Sequence, residues 1–385
     1  MIYLDNAATT RIDDRVLEAM MPYLKESYGN PSTPYEIGIK SAIAIENARK
    51  QFAKAFSCEP NQIYFTGGGS EGDNWVLKSF AFMHHDRNNS VIPHIITSKV
   101  EHDAVLNTCK FLEDYGFADI TYIGVNKDCL VDVEAIEKAI DSRPTLISIM
   151  TANNEVGTIQ PIFIIGDIAS KYNNVWLHTD ATQYIGHLQV DTNAINVDFI
   201  TCSAHKFNGP KGVGVVYAKN PDNLIPFIHG GHQESSKRAG TENVAGIVGA
   251  GVAIQKAIEH TVSEYVKINN LVKYFIEQLH ERNIEIIEHA SGVNKIPGTV
   301  NIAFVGIIAT SIQFMLDRYG ICVGTGSACN SGSSNPSRVL TAMGVNRDVA
   351  LSSIRFSFSK NNTKEEVDYL VECIEKAIKE IKGNF

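Results

Sequence analysis

Two stretches of the chain decide its fold: Val175-Trp176-Leu177-His178-Thr179-Asp180-Ala181-Thr182-Gln183 and Asp198-Phe199-Ile200-Thr201-Cys202-Ser203-Ala204-His205-Lys206. Each begins with a short apolar run and ends in polar residues. Such runs are typical of buried strands, which present functional side chains at their carboxyl ends. The two stretches therefore predict two strands of an α/β sheet, one followed by the carboxylate of Asp180 and the other by the amine of Lys206.

Strand and helix patterns alternate around these two runs, from about residue 15 to 260. Helical patterns follow Ser70 and cover 133–140. This alternation predicts an α/β fold with a mostly parallel sheet that helices cover on both faces. The other predicted strands of this sheet lie at 62–66, 94–97, 119–123, 146–150 and 212–217.

A different pattern follows a helical stretch at about 262–281. Strand patterns at 299–305, 321–324 and 353–357 precede an amphipathic helix at about 364–381. A chain of 385 residues is long enough for more than one compact unit. We expect a large domain at 15–260, and a smaller α+β domain formed by residues 1–14 together with 261–385.

Composition narrows the class of protein. Hydrophobic residues make up 44% of the chain and charged residues 20%, as in globular proteins with a large core. No apolar run approaches the roughly 20 residues that cross a bilayer, and the first residues do not resemble a signal peptide. We expect a cytoplasmic protein that does not bind membranes. A net charge of −9 argues against direct binding of nucleic acid.

The seven cysteines are scattered, odd in number and free of any Cys-x-x-Cys pair. That pattern suits neither a disulfide framework nor a structural zinc site, and we expect no resident metal. Six of the cysteines are interpreted as small hydrophobic residues. The seventh, Cys329, lies in the small and flexible stretch Gly324-Thr325-Gly326-Ser327-Ala328-Cys329-Asn330-Ser331-Gly332-Ser333-Ser334. This composition is suited to a mobile loop that delivers a thiolate into a pocket, although a free cysteine in an ordinary turn is the alternative.

Lys206 and Asp180 together have the chemistry that pyridoxal phosphate (PLP) requires. A lysine amine forms a Schiff base with the aldehyde of PLP, and a carboxylate keeps the ring nitrogen protonated. Each residue has an ordinary alternative. Asp180 would be a strand-end or capping carboxylate, and Lys206 a solvated loop lysine.

A glycine-rich stretch, Gly67-Gly68-Gly69-Ser70-Glu71-Gly72-Asp73-Asn74, follows one predicted strand and opens a helix. Glycines let the backbone approach an anion, and a helix N-terminus supplies free N–H groups. We predict a phosphate cradle in which the amides of Gly69 and Ser70 and the Ser70 hydroxyl are donors. The alternative is a tight turn with Ser70 as the N-cap.

Three further side chains are candidates for the site. The imidazole of His102 would stack on an aromatic cofactor and exchange protons, and the amide of Asn154 would bind the cofactor's ring oxygen or the substrate. Arg355 would bind a substrate carboxylate through its two forked N–H groups. Their alternatives are a structural histidine, a purely conformational Asn-rich turn and a surface ion pair.

In this order along the chain, the segments resemble the cysteine desulfurases, which are PLP-dependent enzymes of the class V aminotransferase-like group with fold type I. Each motif is weak alone, but the ordered set is specific and runs nearly end to end. It consists of Tyr3-Leu4-Asp5-Asn6-Ala7-Ala8-Thr9-Thr10, Gly29-Asn30-Pro31-Ser32, the glycine-rich stretch, Glu101-His102, Asn153-Asn154-Glu155, the two stretches that decide the fold, Arg238-Ala239-Gly240-Thr241-Glu242-Asn243, Gly326-Ser327-Ala328-Cys329 and Ser353-Ile354-Arg355-Phe356-Ser357.

The resemblance implies a role for each matching residue. Lys206 binds PLP and moves protons, Asp180 pairs with the ring nitrogen, Gln183 bonds the phenolic oxygen, and His102 stacks on the ring and assists protonation. The phosphate is held by Gly69, Ser70, Ser203 and His205, and by Thr241 of the neighbouring subunit of a homodimer. Arg355, Asn154 and Asn30 hold the substrate carboxylate.

For Cys329, the resemblance implies attack on the sulfur of PLP-bound L-cysteine, which leaves a persulfide on the enzyme and releases alanine. The sulfur would pass to an acceptor protein, either an iron–sulfur scaffold or a sulfur carrier. Transient ligation of an iron–sulfur cluster is a further role for this thiol. The chain ends soon after its last helix, whereas relatives that dock the general scaffold have a longer tail, so a dedicated or different acceptor is expected.

Two other functions stay open: a selenocysteine lyase or related aminotransferase on the same fold, and a non-catalytic PLP-fold binding module. The chain also departs from the family pattern at several positions. Ser70 replaces threonine, Tyr35 replaces histidine, and Ser235-Ser236-Lys237 replaces an Arg-Gly-hydrophobe run. Glycines at 67, 69 and 72 replace residues with side chains, which predicts a looser cradle.

Overall fold

The computed structural model describes residues 1–86, 91–326 and 335–383. Among these residues, the strands are β1 Ile2–Tyr3, β2 Ile63–Thr66, β3 His94–Ser98, β4 Asp119–Ile123, β5 Thr145–Ser148, β6 Val175–Asp180, β7 Phe199–Ser203, β8 Gly214–Ala218, β9 Ile286–Glu288, β10 Thr299–Phe304, β11 Ile321–Cys322 and β12 Ser353–Ser357. The α-helices are α1 Asp14–Lys25, α2 Glu36–Phe56, α3 Gly69–His84, α4 Asp103–Asp114, α5 Val133–Ala139, α6 Ile162–Ala169, α7 Thr192–Ile195, α8 Gln233–Ser236, α9 Val244–Glu281, α10 Ala309–Arg318, α11 Arg338–Ala342, α12 Arg347–Leu351 and α13 Lys364–Gly383. Short 3-10 turns occupy Pro60–Gln62, Ala204–Lys206 and Pro221–Asn223.

The main sheet contains seven described strands in the order β2-β8-β7-β6-β5-β3-β4. The five strands from β7 to β4 are parallel, whereas β8 runs antiparallel to both β7 and β2. The mostly parallel α/β sheet predicted from the sequence is therefore confirmed. Because β7, β6, β5 and β3 are parallel neighbours, their carboxyl ends meet along one edge of the sheet.

Both faces of this sheet are buried, as the near-continuous apolar runs predict. Side chains alternate along each strand, so Ile200 packs into one core and Phe199 into the other. Helices α2, α6 and α9 contribute to the first core, which contains Phe52, and α3 and α4 contribute to the second, which contains Trp75. The layered packing keeps the strand ends, and the loops that follow them, in fixed positions.

Helix α9 begins at Val244, much earlier than the helix predicted at about 262. The glycines of this region weakened the helical pattern, but they let α9 lie close to α1 and α2. A Cβ atom on Gly249 would meet Met20 Sδ at 2.6 Å, and one on Gly251 would meet Ala48 Cβ at 2.8 Å. The predicted domain boundary at 260 thus falls inside α9, and the division into two domains stays a prediction.

The second half of α9 packs into a separate core together with β10, β12, α10 and α13. Strand β10 lies between β9 and β12 in a small antiparallel sheet, and β1 pairs with β11 in parallel. After β1 the chain crosses to the main sheet, where Thr10 N donates to His205 O at 2.9 Å. Within the described residues, no helix is both long enough and apolar enough to cross a membrane.

Candidate active site

A cavity of about 280 Å³ lies where the carboxyl ends of β3, β5, β6 and β7 meet. It collects residues that are far apart in the sequence, because each follows one of these strands or belongs to a segment packed against them. The predicted site residues that line it are Gly69, Ser70, His102, Asn154, Asp180, Gln183, Ser203, His205, Lys206 and Arg355.

Lys206 ends the 3-10 turn that follows β7. Its Nζ donates to the carbonyl oxygens of Ala7 at 2.6 Å and Ala8 at 2.9 Å. The amide Nε2 of Gln183 donates to the same Ala7 oxygen at 3.0 Å. The N-terminal segment therefore orients both polar groups, and the alternative of a solvated loop lysine does not describe Lys206.

Asp180 is the last residue of β6 and is 6% exposed. Its Oδ1 accepts from the backbone N of Thr182 at 2.9 Å, so the carboxylate also organises the turn that contains Gln183. Asp180 thus has the capping role considered as an alternative, and it also lines the cavity. One carboxylate oxygen bonded to the turn still leaves acceptor capacity for a cationic ring nitrogen.

The glycine-rich stretch forms the first turn of α3, which starts at Gly69 after Gly68 as N-cap. Ser70 is therefore inside the helix and is not its cap. A Cβ atom on Gly69 would meet Thr182 Oγ1 at 3.0 Å, and one on Gly72 would meet Val216 Cγ2 at 3.0 Å. These glycines let α3 approach the sheet closely, and the expectation of a looser cradle stays a prediction.

Ser203 and His205 border the same helix terminus from β7 and the turn after it. His205 Nδ1 is 3.1 Å from Thr9 Oγ1. Burial, and then the charges of Lys206 and Lys211, lower the pKa of His205 to about 4. At neutral pH this imidazole is uncharged, and it can offer an anion a hydrogen bond but no charge.

His102 is the N-cap of α4, where its Nδ1 accepts from Ala104 N at 3.1 Å. This structural role was the alternative for a lone histidine, yet the ring also lines the cavity. The preceding residue, Glu101, is buried and accepts from Met150 N and from Ser98 Oγ. Burial raises the pKa of Glu101 to about 8, which is consistent with a protonated carboxyl behind the histidine at neutral pH.

Arg355 lies on β12 and is 2% exposed, which excludes the surface ion pair considered for it. Its Nη1 donates to Asn154 O at 2.8 Å, and its Nη2 donates to Asp5 Oδ1 at 2.7 Å. The buried Nε has no partner among the described residues. A guanidinium with an N–H group to spare, at the cavity wall, is suited to a carboxylate ligand.

Two of the predicted site residues that the structure describes are not brought to this cavity. Asn30 and Thr241 are exposed and do not line it; the Asn30 side chain accepts from Ser32 N at 2.9 Å. Cys329 lies outside the described residues. On either side of its segment, Gly326 and Ser337 both lie beside Glu155, to which the Ser337 hydroxyl donates at 2.5 Å.

Sequence reasoning missed Asp73, which lies on α3 and also lines the cavity. Its Oδ1 accepts from Thr201 Oγ1 at 2.5 Å, and His178 Nε2 is 3.7 Å away. Burial, and then the charge of Asp180, raise the pKa of Asp73 well above its usual value. Asp73 stands one helical turn after Gly69, and this spacing in a glycine-opened helix was the available signal.

Sequence reasoning also missed the pairing of Glu71 with Arg238, whose Nε and Nη2 donate to the two carboxylate oxygens at 2.8 and 3.1 Å. Gly67 N donates to the same carboxylate at 2.8 Å. The ion pair joins the glycine-rich stretch to the segment that contains Thr241.

The cavity satisfies the chemical requirements of PLP. It offers an amine for the aldehyde, a buried carboxylate for the ring nitrogen, an amide for the phenolic oxygen and a helix N-terminus for the phosphate. A side chain at Gly69 would fill the space beside Thr182 where that helix terminus opens.

Comparison with known proteins places the chain in a family. The model of the aminotransferase class-V family matches residues 2–370, and the chain belongs to that family. A cysteine desulfurase IscS of Dictyoglomus turgidum is 44% identical over 381 residues, which cover 99% of this chain and 95% of that protein. Among solved structures, a NifS-like protein is 39% identical with a TM-score of 0.91, covering 98% of this chain and 99% of the other. The structure of SspA in complex with cysteine is 34% identical with a TM-score of 0.82, covering 94% and 100%. Within the class-V family, the chain therefore groups with the cysteine desulfurases.

Proposed function

We propose that this protein is a PLP-dependent L-cysteine desulfurase that converts L-cysteine to L-alanine and keeps the sulfur as an enzyme persulfide. The main support is the meeting of Lys206, Asp180 and Arg355 in one cavity, from β7, β6 and β12. These three side chains suit the aldehyde, the ring nitrogen and a substrate carboxylate respectively. The similarity to cysteine desulfurases over nearly the whole chain supports the same reaction.

When bound, PLP supplies an electron sink that labilises bonds at the α-carbon of an amino acid. Asp180 would hold the ring nitrogen, Gln183 the phenolic oxygen, and His102 the face of the ring. The phosphate would lie at the start of α3, against Gly69, Ser70, Ser203 and His205. The amine of Lys206 lies beside Ala7 and Ala8, and would take a proton from the substrate α-carbon and return it.

Sulfur transfer is assigned to Cys329. Its thiolate attacks the substrate sulfur, a new S–S bond forms, and the carbon–sulfur electron pair stays on the substrate carbon, which a proton then converts to the methyl group of alanine. The net change is enzyme thiol plus cysteine to enzyme persulfide plus alanine, with no external oxidant or reductant.

The other cysteines are poor candidates for this step. Burial raises the pKa of each of the six described thiols, and none of them lines the cavity. By contrast, the described residues that flank the Cys329 segment are held near the site. Gly324 pairs with Arg355 through two backbone hydrogen bonds, and Arg338 donates to the carbonyl oxygen of Glu101, next to His102.

Two exposed residues complete the proposed site. Thr241 would reach the phosphate of the neighbouring subunit in a homodimer. Asn30 would assist Arg355 and Asn154 in binding the substrate carboxylate. The persulfide would be passed to an acceptor protein, an iron–sulfur scaffold or a sulfur carrier, and a cytoplasmic location stays a prediction.

The decisive experiment compares the wild type with Cys329→Ala and, as a matched control, Cys322→Ala. Purified proteins are assayed for the absorption of bound PLP, and for alanine and sulfide released from L-cysteine with a thiol reductant. We expect Cys329→Ala to keep the PLP absorption and lose sulfide release, with Cys322→Ala close to wild type. Undiminished sulfide release by Cys329→Ala would remove the assigned nucleophile, and full-rate turnover of selenocysteine by that variant would favour a selenocysteine lyase. Binding of PLP without any turnover would favour a non-catalytic module.

A further inference from the structure

We propose that Lys211 supplies the positive charge that balances the cofactor phosphate at the outer side of the glycine cradle. This inference rests on the proposed function, because it concerns the same cofactor. It adds a residue that neither the sequence motifs nor the roles assigned above include.

Lys211 lines a second cavity of about 460 Å³ on the solvent side of the α3 terminus. This cavity and the 280 Å³ cavity share Gly69, Ser70, Ser203 and His205. The two cavities therefore share one set of hydrogen-bond donors. A phosphate held by those donors would face Lys211 across the second cavity.

The shared donors carry no formal charge. They are backbone amides, the hydroxyls of Ser70 and Ser203, and the imidazole of His205, whose pKa of about 4 leaves it neutral at pH 7. A phosphate monoester has a second pKa of about 6 and is mostly a dianion at that pH. The helix terminus contributes about half a positive charge, which leaves most of the phosphate charge uncompensated.

Among the described residues that line the second cavity, Lys211 is the cation that can fill this gap. The lining of the second cavity contains two charged side chains, Lys211 and Glu71. Glu71 is already bonded to both Arg238 and Gly67 N. Lys211 is exposed and forms no ion pair with any described residue, so its ammonium is free to turn toward an anion.

The backbone fixes the position of Lys211 beside the cradle. The turn after Lys206 leads through Lys211 and Gly212 into β8, and Gly212 has a φ of +76°, which glycine adopts readily. Ala204 N donates to Val213 O at 3.0 Å. A Cβ atom on Gly214 would meet the carbonyl carbon of Gly68 at 2.4 Å, so the start of β8 lies directly against the cradle.

The test measures the dissociation constant of PLP from the apoprotein by equilibrium dialysis, for the wild type, Lys211→Gln and Lys211→Arg. Pyridoxal, which lacks the phosphate, serves as the matched ligand. Lys219→Gln is the control variant, because Lys219 is exposed at the far end of β8 and does not line either cavity.

A single exposed charge near a dianion should change affinity by about five- to tenfold. We expect Lys211→Gln to weaken PLP binding by that factor, and Lys211→Arg to restore it. Pyridoxal binding and Lys219→Gln should be unchanged. At about 0.5 M salt, where screening acts over a few ångströms, the difference should shrink to less than about twofold.

Wild-type affinity for PLP in Lys211→Gln would overturn the inference while leaving the proposed function intact. An equal loss of pyridoxal affinity would also overturn it, because a general structural defect would then explain both losses. A wild-type apoprotein that binds no PLP would overturn the proposed function together with this inference.

Discussion

The amine of Lys206 and the carbonyl oxygen of Ala7 are 2.6 Å apart, although the two residues lie 199 positions apart in the sequence. The same oxygen accepts from Gln183, so one backbone group near the start of the chain orients two side chains of the candidate site. Within the segment 5–10, Ala7 and Ala8 line the cavity and Asp5 accepts a hydrogen bond from Arg355. The strength with which this segment is held should therefore affect both stability and the site.

Thr10→Val should destabilise the protein and disturb the turn that contains Lys206. The buried Thr10 hydroxyl donates to His205 O and accepts from Asn208 N, each at 2.8 Å. Valine has the same shape but leaves the Asn208 amide without this acceptor, which should cost about 2 kcal/mol in the free energy of unfolding. Urea denaturation of the apoprotein measures this cost. Thr10→Ser keeps the hydroxyl and should lie close to wild type, and equal stabilities for the two variants would contradict the assignment.

Glu101→Gln should reduce the loss of stability with rising pH. The pKa of Glu101 is about 8 in the folded protein, because the carboxyl is buried, and about 4.5 in the unfolded chain. Below pH 4.5 both states bind the proton; as the pH rises toward 8, only the unfolded state releases it, and stability is lost. The glutamine does not titrate and keeps an oxygen for Ser98 and Met150.

The measurement for Glu101→Gln is the free energy of unfolding at pH 5 and at pH 8.5. We expect the decrease between the two values to be smaller in the variant, by on the order of 3 kcal/mol. Parallel pH profiles for the two proteins would show that Glu101 already ionises in the folded state.

Ser236→Gly should stabilise the protein by about 1 kcal/mol. Within the short segment α8, Glu234, Ser235 and Ser236 have φ angles of 46°, 56° and 64°, so this segment is a left-handed turn and not a regular right-handed helix. The left-handed region disfavours side chains. This turn is held because Arg49 binds the Glu234 carboxylate through two N–H groups, at 2.8 and 3.0 Å. Thermal unfolding measures the gain. Ser236→Ala removes the same hydroxyl without relieving the backbone, so a similar gain in that control would rule out strain as the cause.

Gly214→Ala should distort the glycine-rich stretch at the start of α3, because residue 214 packs against Gly68. The new Cβ atom would lie 2.4 Å from the carbonyl carbon of Gly68 and 2.6 Å from Thr66 Oγ1. The Gly68 carbon is backbone and cannot move without shifting the start of α3. We expect a loss of about 1–3 kcal/mol in stability, together with weaker PLP binding by the apoprotein. Gly124→Ala is the matched control, because no atom lies within 4 Å of a Cβ atom built there. Equal stabilities for the two variants would contradict the close packing described here.

The main sheet and most of the cavity could be predicted from the sequence, because the polar side chains that follow parallel strands lie together at one edge of a sheet. Asp180 and Lys206 stand at the ends of unmistakable apolar runs, and any fold that joins those runs in one sheet brings the two residues near each other. The start of α9 at Val244 was harder to predict, because Gly249 and Gly251 weaken a helical pattern. The close packing that these glycines permit against Met20 and Ala48 is visible only in the folded structure. Asp73 was missed because a single acid on a helix does not reveal what it faces until α3 is placed on the sheet.

The other departures from the family pattern differ in how far the structure explains them. Ser236 has a left-handed φ of 64° at the position where the family pattern has glycine, so this replacement costs conformational free energy. Tyr35 is exposed before α2, and nothing in the structure explains why it replaces histidine.

The pairing of β1 with β11 has a consequence for biosynthesis. Residues 2 and 3 are synthesised before their partners at 321 and 322, which lie 319 positions later in the chain. The seven described strands of the main sheet can pair while synthesis continues, whereas β1 and Asp5 gain their partners in β11 and β12 only after those strands have been made. The part of the cavity wall formed by Ala7 and Ala8 is thus fixed in place only after residues 321–357 have been made.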